Sequence, residues 1–260
     1  MGITNAIIDI KDKFHREGLY SALKYNGFLI QNSLYKNLLH KSLSPSLFEL
    51  YKIAKIQTTK SMVLSKELQI DKYDSEFQEV FNVFMRIKRK TKLNYPLLFK
   101  INIPEARILY EITRKIKPKI FVESGVADGT SSFFILSAIK KNGFGKLISI
   151  DIRDNVGSII PNDLRPLWEL KILKGNLTGS FKQIMSELPN IGVFFHDSDH
   201  SYNWQQLEYN IALKKLTRDG LLLIDDADSS YALIDLIKEN QNNVIFTLVT
   251  NRKVFSIIKR

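Results

Sequence analysis

The chain contains no cysteine, which excludes disulfide cross-links, thiolate metal centres and cysteine nucleophiles. The absence fits a reducing compartment. It also has no run of about 18 apolar residues that could span a bilayer. Acids at Asp9 and Asp12 stand where a secretory leader would be apolar. These absences point to a soluble, cytoplasmic protein. No internal repeat and no low-complexity segment interrupts the chain. Acidic residues are scarce in one part only: residues 1–119 hold 22 Lys and Arg against 11 Asp and Glu, whereas residues 120–260 hold 16 of each. The whole net charge of +11 therefore lies in the N-terminal part. Such an excess suits an anionic partner, for example a phosphate-bearing substrate, a nucleic acid or an anionic membrane surface touched peripherally by basic helices. It equally suits a plain solvated helical face.

With 260 residues and 44% hydrophobic content the chain can bury a sizeable core. The patterning divides it into a basic helical extension, residues 1–103, and a catalytic domain, residues 104–260. From Ile3 to about Lys41 apolar residues recur at helical spacing, as Ile3, Ile7, Ile10 and Phe14. A second amphipathic stretch, Glu76 to Lys90, carries Phe77, Val80, Phe81, Phe84 and Met85 on one face. Pro104 and Glu105 mark a helix start, and Pro118 lies beyond its end. After Pro118, β-branched runs alternate with helical stretches. The strands are expected at Lys119–Glu123, Lys146–Ile152, Leu170–Lys174, Ile191–His196 and Leu221–Ile224. The helices between them are expected at Thr130–Lys141, near Phe181–Leu188 and at Tyr202–Leu216. This alternation predicts an α/β fold with a mostly parallel sheet covered on both faces. Val244–Val249 and Val254–Ile258, parted by a turn near Asn251 and Arg252, predict a terminal hairpin with one antiparallel strand.

Two segments carry chemistry. Glu123-Ser124-Gly125-Val126-Ala127-Asp128-Gly129-Thr130-Ser131 joins the first strand to the first helix of the α/β part. Glycines there allow a sharp turn and close ligand approach, and a helix start favours a carboxylate or phosphate. Asp151 ends the next strand, roughly 20 residues on, where nucleotide-binding folds place a ribose-binding acid. The G-x-G-x-x-G spacing of dinucleotide folds is missing, which weakens a dehydrogenase reading. Asn176, in a Gly-Asn pair past the third strand, would lie beside an adenine, although Gly-Asn is also an ordinary turn dipeptide.

The other segment is acidic. Asp197 ends the fourth strand, and Asp225 and Asp226 end the fifth. Strands pair about 4.8 Å apart, so neighbouring strands would bring these carboxylates together, where they repel unless a cation lies among them. Oxygen donors without thiolate suit a hard ion such as Mg²⁺. Helix capping or pairing with lysines is the alternative, and Asp199 and Asp228 fit the capping role. His200, just past Asp197, is placed to act as a base near neutral pH. His196, inside the strand, is expected to face away from the site.

These motifs resemble class I S-adenosylmethionine-dependent methyltransferases, and among them the metal-dependent O-methyltransferases of the catechol and macrolide-sugar types. The motifs in question are Glu123-x-Gly125-Val126-x-x-Gly129-x-Ser131, Asp151, Asp197-Ser198-Asp199-His200-Ser201-Tyr202 and Gly220-Leu221-Leu222-Leu223-Ile224-Asp225-Asp226. The resemblance spans about residues 119–260. It implies a Rossmann-like seven-stranded sheet with one antiparallel strand in the terminal hairpin. It further implies that Glu123, Gly125, Gly129 and Ser131 surround the methionine part of S-adenosylmethionine and that Asp151 holds its ribose. Asp197, Asp225 and Asp226 would match the metal ligands, with Asp197 also on the cofactor side. His200 falls where catechol-type enzymes carry a lysine and sugar-modifying relatives a histidine, which implies a hydroxyl-bearing acceptor such as a glycan or glycolipid. A homo-oligomer is compatible with this architecture. Two other readings stand beside it: a nucleic-acid methyltransferase, supported only by the basic N-terminus, and a non-catalytic protein of the same fold acting as a partner subunit.

Overall fold

The computed structural model describes residues 71–96, 101–239, 244–249 and 254–260, together with Lys41, Ser44 and Pro45. The amphipathic stretch read from Ile3 onward and the turn at Asn251 and Arg252 lie outside the described residues. Among the described residues two α-helices of several turns precede the sheet, α1 (Asp74–Lys90) and α2 (Ile103–Ile116). Then come β1 (Ile120–Ser124), α3 (Thr130–Asn142), β2 (Lys146–Asp151), β3 (Trp168–Ile172), α4 (Leu177–Glu187) and β4 (Ile191–His196). The chain continues through α5 (Tyr202–Lys215), β5 (Leu216–Ile224), α6 (Ala232–Glu239), β6 (Val244–Val249) and β7 (Val254–Lys259). Among the described residues no helix is long and apolar enough to cross a membrane.

The strands form one seven-stranded sheet in the order β3-β2-β1-β4-β5-β7-β6. β1 to β5 pair in parallel, while β7 inserts antiparallel between β5 and β6. The expected Rossmann-like sheet with its antiparallel terminal strand is therefore present. α6 was not anticipated, and β5 begins earlier than expected because exposed Thr217, Arg218 and Asp219 dilute its apolar signal.

Both faces of the sheet are buried, which is why its strands read as continuous apolar runs. Successive side chains point to opposite faces. Val122, Ile148, Phe194, Leu222 and Ile224 enter a core shared with α4, α5 and α6. Phe121, Leu147, Val193, Phe195 and Leu223 enter a second core with α1, α2 and α3. This alternation determines which helix each strand-end residue meets.

α2 starts on a reciprocal capping box, Asn102 with Glu105. α1 is fastened to α2 by Glu76, which accepts from Tyr110 Oη and Arg114 Nε at 2.5 Å each. It is fastened to α3 by rings: Phe84 lies 4.9 Å from Phe134 and 5.5 Å from Phe133, and Phe77 lies 5.4 Å from Phe134. Phe84 is almost fully buried, so Phe84→Ala should destabilise the whole domain by about 3–5 kcal/mol. Urea unfolding that showed no shift in midpoint would contradict this packing.

Candidate functional site

Hydrogen bonds carry the parallel ladder one step past the strand ends. Gly125 N donates to Ile150 O, Asp197 N to Ser124 O and Asp225 N to His196 O, each at 2.9 Å. Gly125, Asp197 and Asp225 thus stand in a row at the carboxyl edge, where open α/β sheets bind ligands.

The loop after β1 has three left-handed residues, Gly125 (φ 87°), Ala127 (φ 48°) and Gly129 (φ 86°). A Cβ at Gly125 would lie 1.9 Å from the carbonyl oxygen of Asp197, and one at Gly129 would lie 3.0 Å from Gly157. Both glycines are therefore required by protein packing as well as by the turn. α3 begins at this loop with no side-chain cap, so its first-turn N–H groups serve the loop end. Asp151 is half-exposed; its Oδ2 accepts from Val126 N at 2.9 Å and its Oδ1 from Arg153 N at 3.0 Å. A carboxylate has about four acceptor sites, so capacity remains for a diol. Asn176 is exposed and caps α4 through Gly179 N at 3.3 Å, so the structure employs its side chain as a helix cap.

Glu123 and Ser131 differ from expectation. The resemblance puts them around the methionine part of the cofactor, but both are buried and bonded to each other. Glu123 also accepts from Ser132 Oγ at 2.6 Å and Ser149 Oγ at 2.7 Å, and Ser149 in turn accepts from Trp168 Nε1. The reason is the alternation of β1: position 123 shares the face of Phe121 and so points under α3. These two side chains support the loop from the core side. Asp128, given no role from the sequence, holds a strap of the N-terminal part: it accepts from Asn94 N (2.8 Å), Tyr95 N (3.1 Å) and Ser158 Oγ (2.6 Å).

At the acidic edge, Asp197, His200 and Asp225 each offer a ligand atom within 4.8 Å of the others. Asp225 is fully buried, whereas Asp197 and His200 are partly buried. Asp226, in a left-handed conformation (φ 43°), places Oδ2 3.5 Å from His200 Nε2. Asp197 Oδ1 is 3.9 Å from the same nitrogen. All four residues expected at the metal and base positions are thus gathered, with His200 inside the tightest group. Asp199 Oδ1 accepts from Ser201 N at 2.8 Å in a local turn, and α5 starts after Ser201 without a side-chain cap, so Asp199 does not fill the capping role expected of it. Burial raises the Asp228 carboxyl above its ordinary value, helped by the neighbouring Asp226 and Asp225.

His196 does not face away from the site as its place in the strand suggests. It shares the face of Phe194, so it points under α5; its Nδ1 lies 2.6 Å from Glu208 Oε2, and its Nε2 lies 3.3 Å from His200 Nδ1. It is connected to the site from beneath. Glu208 carries no local sequence signal, because the site it serves lies in other elements.

Residues 122–227 match the family model of a methyltransferase domain. No curated protein sequence matches the chain. Among solved structures, an O-methyltransferase from Bacillus cereus in complex with SAH superposes with a TM-score of 0.52 at 14% identity, over 72% of this chain and 91% of that one. An SAH-bound methyltransferase from Podospora anserina gives 0.52 at 11% identity, over 70% and 87%. The O-methyltransferase TomG from Streptomyces achromogenes, in complex with SAM, gives 0.50 at 14% identity, over 62% and 81%. Residues 122–227 thus match a methyltransferase domain model, and the chain shares the fold of these solved methyltransferases.

Two stability measurements test the loop. Burial pushes the Glu123 carboxyl up from 4.5 to about 7, against the pull of its three serine hydroxyls. The folded state then holds a proton that the unfolded state has lost, so stability falls as pH rises from about 4.5 to about 7 and levels off above. The loss is on the order of 3 kcal/mol. Glu123→Gln should remove this slope in urea titrations across that range; parallel curves for variant and wild type would refute it. Gly125→Ala should cost roughly 2–4 kcal/mol, from left-handed strain and the clash with Asp197, and a midpoint within error of wild type would refute that close approach.

Proposed function

We propose that the protein is an S-adenosylmethionine-dependent O-methyltransferase acting on the hydroxyl of a sugar, in a glycan or glycolipid, with help from a divalent ion. The observation that carries the proposal is the gathering of Asp197, His200, Asp225 and Asp226 beside the glycine loop of a methyltransferase domain. Hard oxygen donors without thiolate fit Mg²⁺ or a similar ion. Asp197, Asp225 and Asp226 would hold it, and its chemistry there would be to lower the pKa of an acceptor hydroxyl. S-adenosylmethionine supplies an electrophilic methyl carbon on a sulfonium.

The rest falls to the chain itself. The loop from Gly125 to Gly129 and the start of α3 take the methionine carboxylate, and Asp151 takes the ribose hydroxyls. His200 Nε2 accepts the acceptor's hydroxyl proton as the oxygen–methyl bond forms and the sulfur–methyl bond breaks, the electron pair leaving with sulfur. Positioning and proton removal both contribute. A histidine rather than a lysine at the base position supports an alkyl over a catechol hydroxyl. The positive excess before residue 120 suits an anionic acceptor or the surface that carries it. Ser44 Oγ donates to Ser229 O at 2.8 Å, which supports a role for the N-terminal part at the rim of the acceptor site.

Calorimetric titration with S-adenosylmethionine and with NAD⁺, each with and without Mg²⁺, tests the cofactor, and methyl transfer to a panel of glycans and glycolipids tests the acceptor. Binding of the methyl donor alone is expected; preference for NAD⁺ would overturn the reading. His200→Ala should lower turnover about 10²–10⁴-fold while S-adenosylmethionine and Mg²⁺ affinities stay unchanged. Loss of Mg²⁺ affinity in that variant would make His200 a ligand instead of the base.

A further inference from the structure

Beneath the acidic edge lies a chain of buried groups that the proposed reaction does not itself use. Glu208, from the middle of α5, is fully buried. Its Oε1 accepts from Trp204 Nε1 at 2.6 Å, Ser124 Oγ at 2.5 Å and Ser198 Oγ at 3.0 Å. Its Oε2 lies 2.6 Å from Nδ1 of the equally buried His196. His196 Nε2 lies 3.3 Å from Nδ1 of His200, the rings meeting edge to face at 80°. His200 Nε2 then faces Asp226 and Asp197.

We infer that Glu208 and His196 are positioning residues that fix the tautomer of His200, leaving its Nε2 unprotonated toward the acidic edge. The inference rests on the role proposed for His200 and adds the two residues that set it. In a neutral imidazole one nitrogen donates and the other accepts. A carboxylate only accepts, so His196 places its proton on Nδ1 and leaves Nε2 as an acceptor. His200 meets that acceptor with Nδ1, so its own proton belongs on Nδ1 as well. The opposite tautomer would set two lone pairs against each other at 3.3 Å inside the protein. An Nε2–H would lie 3.5 Å from Asp226 Oδ2, beyond the usual 2.7–3.2 Å range. The 2.6 Å contact to Glu208 decides the direction of the chain. An unprotonated Nε2 is what either a base or a metal ligand needs at that position.

Trp204 supplies a directional probe. Its Nε1–H can only donate and reaches both Glu208 Oε1 at 2.6 Å and Ser198 Oγ at 3.0 Å; in Glu208→Gln, keeping the shorter of these bonds leaves the amide oxygen where Oε1 stood and puts the NH₂ group in the place of Oε2. That group donates to His196 Nδ1, moves the His196 proton to Nε2, and so moves the His200 proton to Nε2. An isosteric change 12 residues from His196 in sequence should therefore invert two tautomers.

Long-range ¹H–¹⁵N correlation on the full-length, ¹⁵N-labelled protein reads this directly at about pH 8, above the ordinary imidazole range near 6.5. The four histidines, His15, His40, His196 and His200, can be assigned by replacing each in turn. His196 and His200 should both carry the proton on Nδ1 in the wild type and on Nε2 in Glu208→Gln. Turnover in that variant should fall at least about 10-fold, with KM for the acceptor and the Kd for S-adenosylmethionine unchanged. An Nε2 proton on His200 in the wild type overturns the inference, even if the variant fails to fold. So does a pattern that survives Glu208→Gln, or one that inverts without loss of turnover. A wild type that transfers no methyl group would sink the proposed function instead, and the tautomer result would then decide this inference alone.

Discussion

The site depends on three backbone hydrogen bonds, from Gly125, Asp197 and Asp225, that extend the parallel ladder past the ends of β1, β4 and β5. Each contributes only about 0.5–1.5 kcal/mol net, but together they determine geometry: three loops from distant parts of the chain leave the sheet in register. The row requires that Asp197 approach Gly125 more closely than any side chain would allow. The glycine is thus a condition for the acidic edge and the glycine loop after β1 to be neighbours.

The strand alternation that builds two cores also places one buried carboxylate on each side of the sheet. Glu123 points under α3 and is held by serine hydroxyls, and burial lifts its pKa to about 7. Glu208 comes from α5 and meets Ser124 and His196, which lie on the opposite face from Glu123. One carboxylate braces the cofactor loop from inside, and the other reaches the acidic edge through two imidazoles. Buried carboxylates are costly unless surrounded by donors, and both stand among hydroxyls, ring N–H groups or both.

The N-terminal part touches the domain at both ends of the site. Asn94 and Tyr95 bind Asp128 in the cofactor loop, and Ser44 binds Ser229 in the loop after β5. α1 adds a face of phenylalanines on α3. This part is therefore packed onto the α/β domain where it is described.

Much of this was legible in the residues alone. The alternation after Pro118 predicted the parallel sheet and the terminal hairpin predicted one antiparallel strand, while the fold decided that this strand is Val254–Lys259. Asp151, Asp197, Asp225, Asp226 and His200 were readable because Asp151 ends β2 and the others lie within four residues of the ends of β4 and β5, and ligands gather at strand carboxyl ends whatever the partner helices are. What tertiary structure alone decided is the direction and company of side chains. Glu123 and Ser131 face each other inside the core, Asn176 caps a helix, and His196 turns toward Glu208 rather than away from the site. α6, only eight residues long, is too short for its period to stand out. α5 buries Gln205 and Glu208 on its inner face, so hydropathy does not mark that face. Periodicity along a strand separates one face from the other, but which helix covers each face, and with which polar group, is a long-range pairing: Ser124 and Glu208 meet across 84 residues, and only the folded chain brings them together.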